Sequence, residues 1–276
     1  MNAPTKTPSA NTSSEAILLR ENAGKIAILT LNRPAVRNCL SEALLTALSE
    51  SFTAIAKDRD IHAVVLAANG PAFCAGHDLR ELTARRSDSD GGRGYFQHIM
   101  TTCSAMMQSI IALPQPVIAA VSGIASAAGV QLVATCDLAI ASSQAAFATP
   151  GVNIGLFCST PMVALSRNVT RKQAMHMLLT GEPMSAEDAE RAGLVNRVTE
   201  HGRERAEALA LAEQIASKSS QVVKIGKKAF YQQAEMPLAE AYRYAAQVMT
   251  ENMMVRDANE GICAFLEKRP PSWEDK

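Results

Sequence analysis

The sequence predicts an α/β fold with a largely parallel sheet and a helical C-terminal region. Three observations carry that prediction. The runs "HAVVLAA", "PVIAAVSG" and "DLAIAS" are short and apolar without polar alternation, as strands buried on both faces are. Segments of helical period separate them up to about residue 150, which is the pattern of an α/β arrangement. After residue 160 strands nearly vanish, and amphipathic helices follow one another to the end.

Taken in order, "AILLRENAGKIAILTLN" holds two β-rich runs around a turn at Glu21-Asn22-Ala23-Gly24. Ser41 caps a helix whose apolar positions Leu44, Leu45, Leu48, Phe52 and Ile55 share one face. "NGPAFCAGHDL" is a glycine-bearing loop leading from the strand "HAVVLAA" into a helix. "TARRSDSDGGRG" is polar and glycine-rich, the composition of a mobile loop or lid. "YFQHIMTTCSAMMQSIIAL" is helical, and Pro114 and Pro116 end it. "GVQLVATC" reads as the helix after "PVIAAVSG". Six helical segments then run from "TRKQAMHMLLTG" to "VRDANEGICAFLEKR". The domain reading is a disordered tail at 1–15, a ligand-binding core at 16–200 and a helical region at 201–276 that serves as an oligomerisation or lid element.

Composition narrows the function. The 276 residues carry 27 Lys and Arg against 27 Asp and Glu, a formal net charge of zero. That balance speaks against a nucleic-acid partner. Lys224, Lys227 and Lys228 stand at helical spacing and read as a solvated face. The six cysteines show no metal spacing and fit a reducing compartment as small apolar side chains. No apolar run approaches the ~20 residues that span a bilayer. The tail lacks the features of a secretory or transit peptide, so a cytoplasmic protein without a membrane partner is expected.

The familiar cofactor and nucleophile motifs are missing. There is no GxGxxG, GxxxxGK[ST], HExxH or GxSxG. Cys74 and His77 are three residues apart in a turn, without an orienting partner, which is weak support for a Cys–His nucleophile. What remains is two small-residue loops that leave buried strands, "PAFCAGHDL" and "SGIASAAGV". Side by side, such loops present unpaired N–H groups to an ester or thioester carbonyl; alternatively their glycines and alanines only permit tight packing. Spacing alone leaves both open.

Several segments together resemble the crotonase, or enoyl-CoA hydratase/isomerase, superfamily. They are "LNRPAVRNCLSEAL", "AVVLAANGPAFCAGHDLREL", "PVIAAVSGIASAAGVQLVATCDLAIAS", "FATPGVNIGL", "LLTGEPMSAEDAERAGLVNRV" and "EGICAFLEKR". The similarity covers roughly residues 16 to 270, and is strongest to members described as enoyl-CoA hydratase domain-containing. It implies a crotonase-like spiral of ββα units with a helical C-terminal region. It also implies a homotrimer or dimer of trimers, and an acyl-CoA thioester substrate with no cofactor beyond coenzyme A and no metal. By motif position the oxyanion-hole donors are Ala75 and Ala128, and Ala75, Gly76, His77 and Asp78 line the acyl-CoA site together with Ala128.

The chain departs from the pattern at two points. Gln131 stands where hydratases carry one glutamate, and Gly151 where they carry the second. An amide positions water but is no base near neutral pH, and each lost acid–base group costs ~10²–10⁴-fold. Gln131 and His77 are therefore only weak catalytic candidates, and Asp78 reads first as the cap of "DLRELTARR". Cys158 is expected to pack and Ser159 or Thr160 to cap a helix, while His98 faces either pocket or core. The expectation is an enolate-stabilising enzyme of doubtful hydratase activity. The alternatives are a decarboxylase or thioesterase of the same fold, or a non-catalytic acyl-CoA binder or regulatory subunit.

Overall fold

The computed structural model describes residues 16–275. The tail reading for 1–15 lies outside the described residues. β1 (Leu18–Ala23) and β2 (Ile26–Leu31) form the expected hairpin, with Ala23 paired to Ile26 and Gly24 at φ +56° in the turn. α1 (Glu42–Lys57) starts at Ser41, whose hydroxyl accepts the Leu44 N–H at 3.2 Å. β3 (Ala63–Ala68) follows, then β4 (Ala72–Cys74), α2 (Leu79–Ala84) and α3 (Arg93–Ala112). Next come β5 (Val117–Val121), β6 (Ile124–Ser126), α4 (Ala128–Thr135), β7 (Leu138–Ser142) and β8 (Ala146–Ala148). α5 (Ser159–Leu165), α6 (Arg171–Thr180), β9 (Met184–Ser185), α7 (Ala186–Ala192) and β10 (Arg197–Thr199) lead to the C-terminal helices. These are α8 (Glu204–Ala216), α9 (Ser220–Ala234), α10 (Leu238–Met253) and α11 (Arg256–Glu267).

The strands build two sheets, ordered β1-β2-β3-β5-β7-β10 and β4-β6-β8-β9. From β2 to β10 the larger sheet is parallel throughout. Three successive strand pairs, β3-β4, β5-β6 and β7-β8, each send the first strand to the large sheet and the second to the small one. A helix or short helical turn follows every pair, so the ββα spiral is present. The second strands are only three residues long, too short for a periodic signal, and composition presents them as loops.

Alternation along β2 divides the core. Ala27, Leu29 and Leu31 pack with Leu44, Leu48 and Phe52 of α1, while Ile26 and Ile28 pack with Ala208 and Ala212 of α8. α8 thus covers one face of the large sheet, and burial on both faces explains the unbroken apolar runs. The polar loop read as mobile carries local contacts of its own. Asp90 accepts the N–H groups of Gly92 and Gly94 at 2.9 and 2.8 Å, and the Arg85 guanidinium stacks over the Tyr95 ring at 4.7 Å. Among the described residues no helix is long and apolar enough to cross a membrane.

Candidate active site

β4 and β6 run parallel with Cys74 opposite Ala125, and β6 and β8 run parallel with Ser126 opposite Ala148. That pairing brings together the three chain segments leaving the carboxyl ends of these strands: 75–78, 127–128 and 149–151. Ligands in α/β folds gather at such strand ends. Two glycines set how closely the segments approach. Gly76 has φ +90°, and a Cβ there would lie 3.0 Å from the Ser126 oxygen and 3.4 Å from the Ala128 nitrogen. Gly129 seats α4 directly on β4, since a Cβ would stand 2.1 Å from the Cys74 oxygen.

The first expected donor needs correction. The Ala75 N–H is engaged, donating to the Arg37 carbonyl at 3.0 Å. Leu40 bridges the backbone around His77: its N–H bonds the Gly76 oxygen at 2.7 Å, and its oxygen accepts the Asp78 N–H at 3.2 Å. That bridge turns the His77 N–H to the other side, and it donates to nothing among the described residues. Ala128 opens α4, so its N–H has no carbonyl within the helix to bond and is likewise unpaired. The free pair is therefore His77 and Ala128. A tertiary bridge decides this, and the local motif holds no trace of it.

Strain marks the same spot. Ala127 sits at φ +50°, ψ −113°, a conformation costly to any residue with a Cβ, and is held there by its N–H on the Ala148 oxygen at 2.8 Å. Unsatisfied side chains cluster here too. Both ring nitrogens of His77, Oε1 of Gln131 and Oγ1 of Thr149 are buried without a hydrogen-bond partner among the described residues. Burial lowers the pKa of His77, with the Leu40 backbone opposing in part, so the ring is neutral near pH 7.

Other candidates resolve to structural roles. Asp78 caps α2 through the Arg80 N–H at 3.2 Å, and its second oxygen takes Arg33 at 3.3 Å and the Cys39 thiol at 3.2 Å. Burial raises its pKa, but these bonds together outweigh that and hold it below the usual carboxylate range, so it is a poor base. The Cys74 thiol lies in the core with its pKa pushed up to about 12 by burial, which leaves no Cys–His nucleophile. Cys158 packs in the core as expected. The capping expectation for Ser159 or Thr160 fails: Cys158 precedes α5 with no side-chain cap, and Ser159 donates back to the Phe157 oxygen. His98 faces neither pocket nor core; it is exposed and bonded to Glu42 at 2.9 Å.

Gln131 is 5 % exposed and lines a cavity of about 980 Å³ between α3, α4, α5 and α9. Met107, Ile111, Val163 and Ile225 give it apolar surface, and Arg167, Lys224 and Lys228 add three cations to its lining. Glu235 supplies its one wall carboxylate among the described residues, at an exposed position paired with Arg167 at 3.1 Å. Gly151 has no room for a side chain, since a Cβ would lie 2.8 Å from the Leu156 oxygen and 3.0 Å from the Cys158 sulfur. The space a side chain at 151 would need is filled by the chain itself.

The enoyl-CoA hydratase/isomerase family model matches residues 21–276. The chain belongs to the enoyl-CoA hydratase/isomerase family. The human enoyl-CoA hydratase domain-containing protein 3, mitochondrial, is 47 % identical over 245 residues, covering 89 % of this chain and 79 % of the relative. A probable enoyl-CoA hydratase of Rhizobium meliloti is 34 % identical over 260 residues, covering 94 % and 98 %. Among solved structures, an enoyl-CoA hydratase of Mycobacterium smegmatis superposes with a TM-score of 0.89 at 50 % identity, covering 94 % of this chain and 99 % of that one. The human domain-containing protein 3 also gives 0.89, at 45 % identity and covering 94 % and 100 %. These matches bear out the crotonase fold and its helical C-terminal region. They overturn the cytoplasmic expectation, because the matched vertebrate proteins are named mitochondrial. Residue composition of a tail says little about compartment.

Proposed function

We propose that this family member binds an acyl-CoA thioester with its carbonyl oxygen between the N–H groups of His77 and Ala128, and stabilises the enolate that forms there. The observation that carries this is the pair of unpaired backbone donors on facing loops beside a strained Ala127. Developing negative charge on the oxygen strengthens both bonds, an effect of ~10²–10³-fold per donor. The acyl group then runs along α4 past Gln131 into the cavity. Gln131 orients substrate or water through its amide and takes no proton near neutral pH.

The reading includes a loss. With Gln131 and Gly151 at the two acid–base positions, ordinary hydration of a 2-enoyl thioester is very weak or absent. Chemistry that makes its own carbanion, such as decarboxylation of a malonyl-type thioester, needs chiefly the oxyanion hole and fits these residues. The exposed apolar side chains of α10 and α11, among them Leu238, Met253 and Phe265, support assembly of the C-terminal helices in a trimer or dimer of trimers.

Purified protein incubated with crotonyl-CoA and a mixed acyl-CoA panel, followed by mass spectrometry, tests the proposal. The expected result is binding with negligible hydration; hydration at the rate of ordinary hydratases would refute it. Gln131→Glu with Gly151→Glu is expected to restore little activity, because the loop at Leu156–Cys158 occupies the second carboxylate's space.

A further inference from the structure

The wall of the cavity opposite α4 contains a buried ionic hub that the sequence placed on a solvated face. Lys227 is 6 % exposed at its side chain, and its Nζ donates to Asp137 Oδ2 at 2.6 Å, Ile110 O at 3.0 Å and Gln115 O at 3.1 Å. Three ammonium protons meet three acceptors. Asp137 Oδ2 also accepts the Val117 N–H at 2.7 Å, and Oδ1 accepts the Tyr231 hydroxyl at 2.9 Å. Every bond here joins a different part of the cavity's frame. Ile110 lies on α3, Asp137 joins α4 to β7, Val117 opens β5, and Lys227 and Tyr231 belong to α9. Tyr231 is itself part of the cavity lining.

An apolar cluster of equal size would hold α9 at least as firmly, because burying two charges costs about what their attraction returns. What an ion pair adds is direction: only one placement of α9 satisfies all the bonds. The cavity also has a length. Thr135 lines it seven residues beyond Ala128, ~10 Å along α4 at ~1.5 Å per residue. A medium or long acyl chain spans that distance and a four-carbon chain does not.

We propose that Lys227 and Tyr231, through Asp137, are positioning residues that fix α9 as the wall of an acyl-chain channel and so select medium- to long-chain thioesters. The inference rests on the acyl-CoA reading above and specifies its substrate class.

Equilibrium binding of butyryl-CoA and dodecanoyl-CoA to the full-length protein tests it. Wild type is expected to favour dodecanoyl-CoA by about tenfold or more, as buried methylenes are added. Tyr231→Phe removes only the hydroxyl on Asp137 and keeps the ring in the wall, so it folds even if Lys227→Met does not. It is expected to shrink that preference by about threefold, the effect of one lost hydrogen bond, with butyryl-CoA affinity unchanged. A preference untouched by Tyr231→Phe, or equal weakening of both ligands, overturns the positioning role. A wild type that binds both ligands equally overturns the chain-length selection. A wild type that binds neither overturns the acyl-CoA reading itself.

Discussion

The two ends of α4 are built on opposite principles. At its start Ala128 offers an unpaired N–H, Ala127 is strained, and Gln131, Thr149 and His77 bury polar atoms without partners. Just past its end, Asp137 binds Lys227, Tyr231 and Val117, and both carboxylate oxygens are used. A buried polar group without a partner costs stability, while a satisfied hub is close to neutral. The difference teaches where a ligand belongs: the protein bears unmet hydrogen bonds where a substrate can meet them, and closes them where only geometry is needed.

The largest effect is expected at the closed end. Lys227→Met leaves Asp137 buried without its cation and should cost about 3–5 kcal/mol, read as a lower urea midpoint with little change in slope. A loss below 1 kcal/mol would break the contrast between the ends. At the open end Gly76→Ala strains a φ of +90° and pushes against Ser126 and Ala128, spreading the two donors. Acyl-CoA binding should weaken by about tenfold, while free coenzyme A, which has no thioester carbonyl to lose, binds as before.

Acid sharpens the comparison further. His77 at the open end and His62 just before β3 are both held by burial below the ordinary histidine value of 6.5; Lys25 lowers His62 further and Asp275 opposes. Their folded pKa values lie under the unfolded ones, so no stability is lost above pH 6.5. Below it the unfolded chain takes up protons that the folded chain refuses, and Tm falls as pH drops toward the folded values. His77→Gln should make that fall shallower; an unchanged slope would show that the ring titrates alike in the folded and unfolded chain. The smallest effect is relief of strain. Ala127→Gly should stabilise by about 1 kcal/mol, the strain released less the added freedom of glycine, without loss of ligand binding.

Much of this contrast was legible in the sequence, and the rest was hidden for specific reasons. The unbroken apolar strands and the Ser41 cap stand out because short-range physics fixes them. The resemblance located the loop around His77 and the positions of Gln131 and Gly151. It did not place the donor, because the direction of the His77 N–H depends on Leu40, which is remote in sequence. Nor could the sequence show that Lys227 points inward: the lysines of α9 stand at helical spacing, and only the carboxylate of Asp137 distinguishes one of them. Closure of the space at Gly151 likewise depends on the path of residues 156–158.

The central claim is that the His77 and Ala128 N–H groups hold a thioester carbonyl. Isotope-edited infrared spectroscopy of dodecanoyl-CoA labelled with carbon-13 at the carbonyl tests it most directly. Two aligned donors should move the bound carbonyl stretch to lower frequency than in water, and Gly76→Ala should reverse the shift. A bound ligand whose carbonyl stretch matches that of the free thioester would contradict the account.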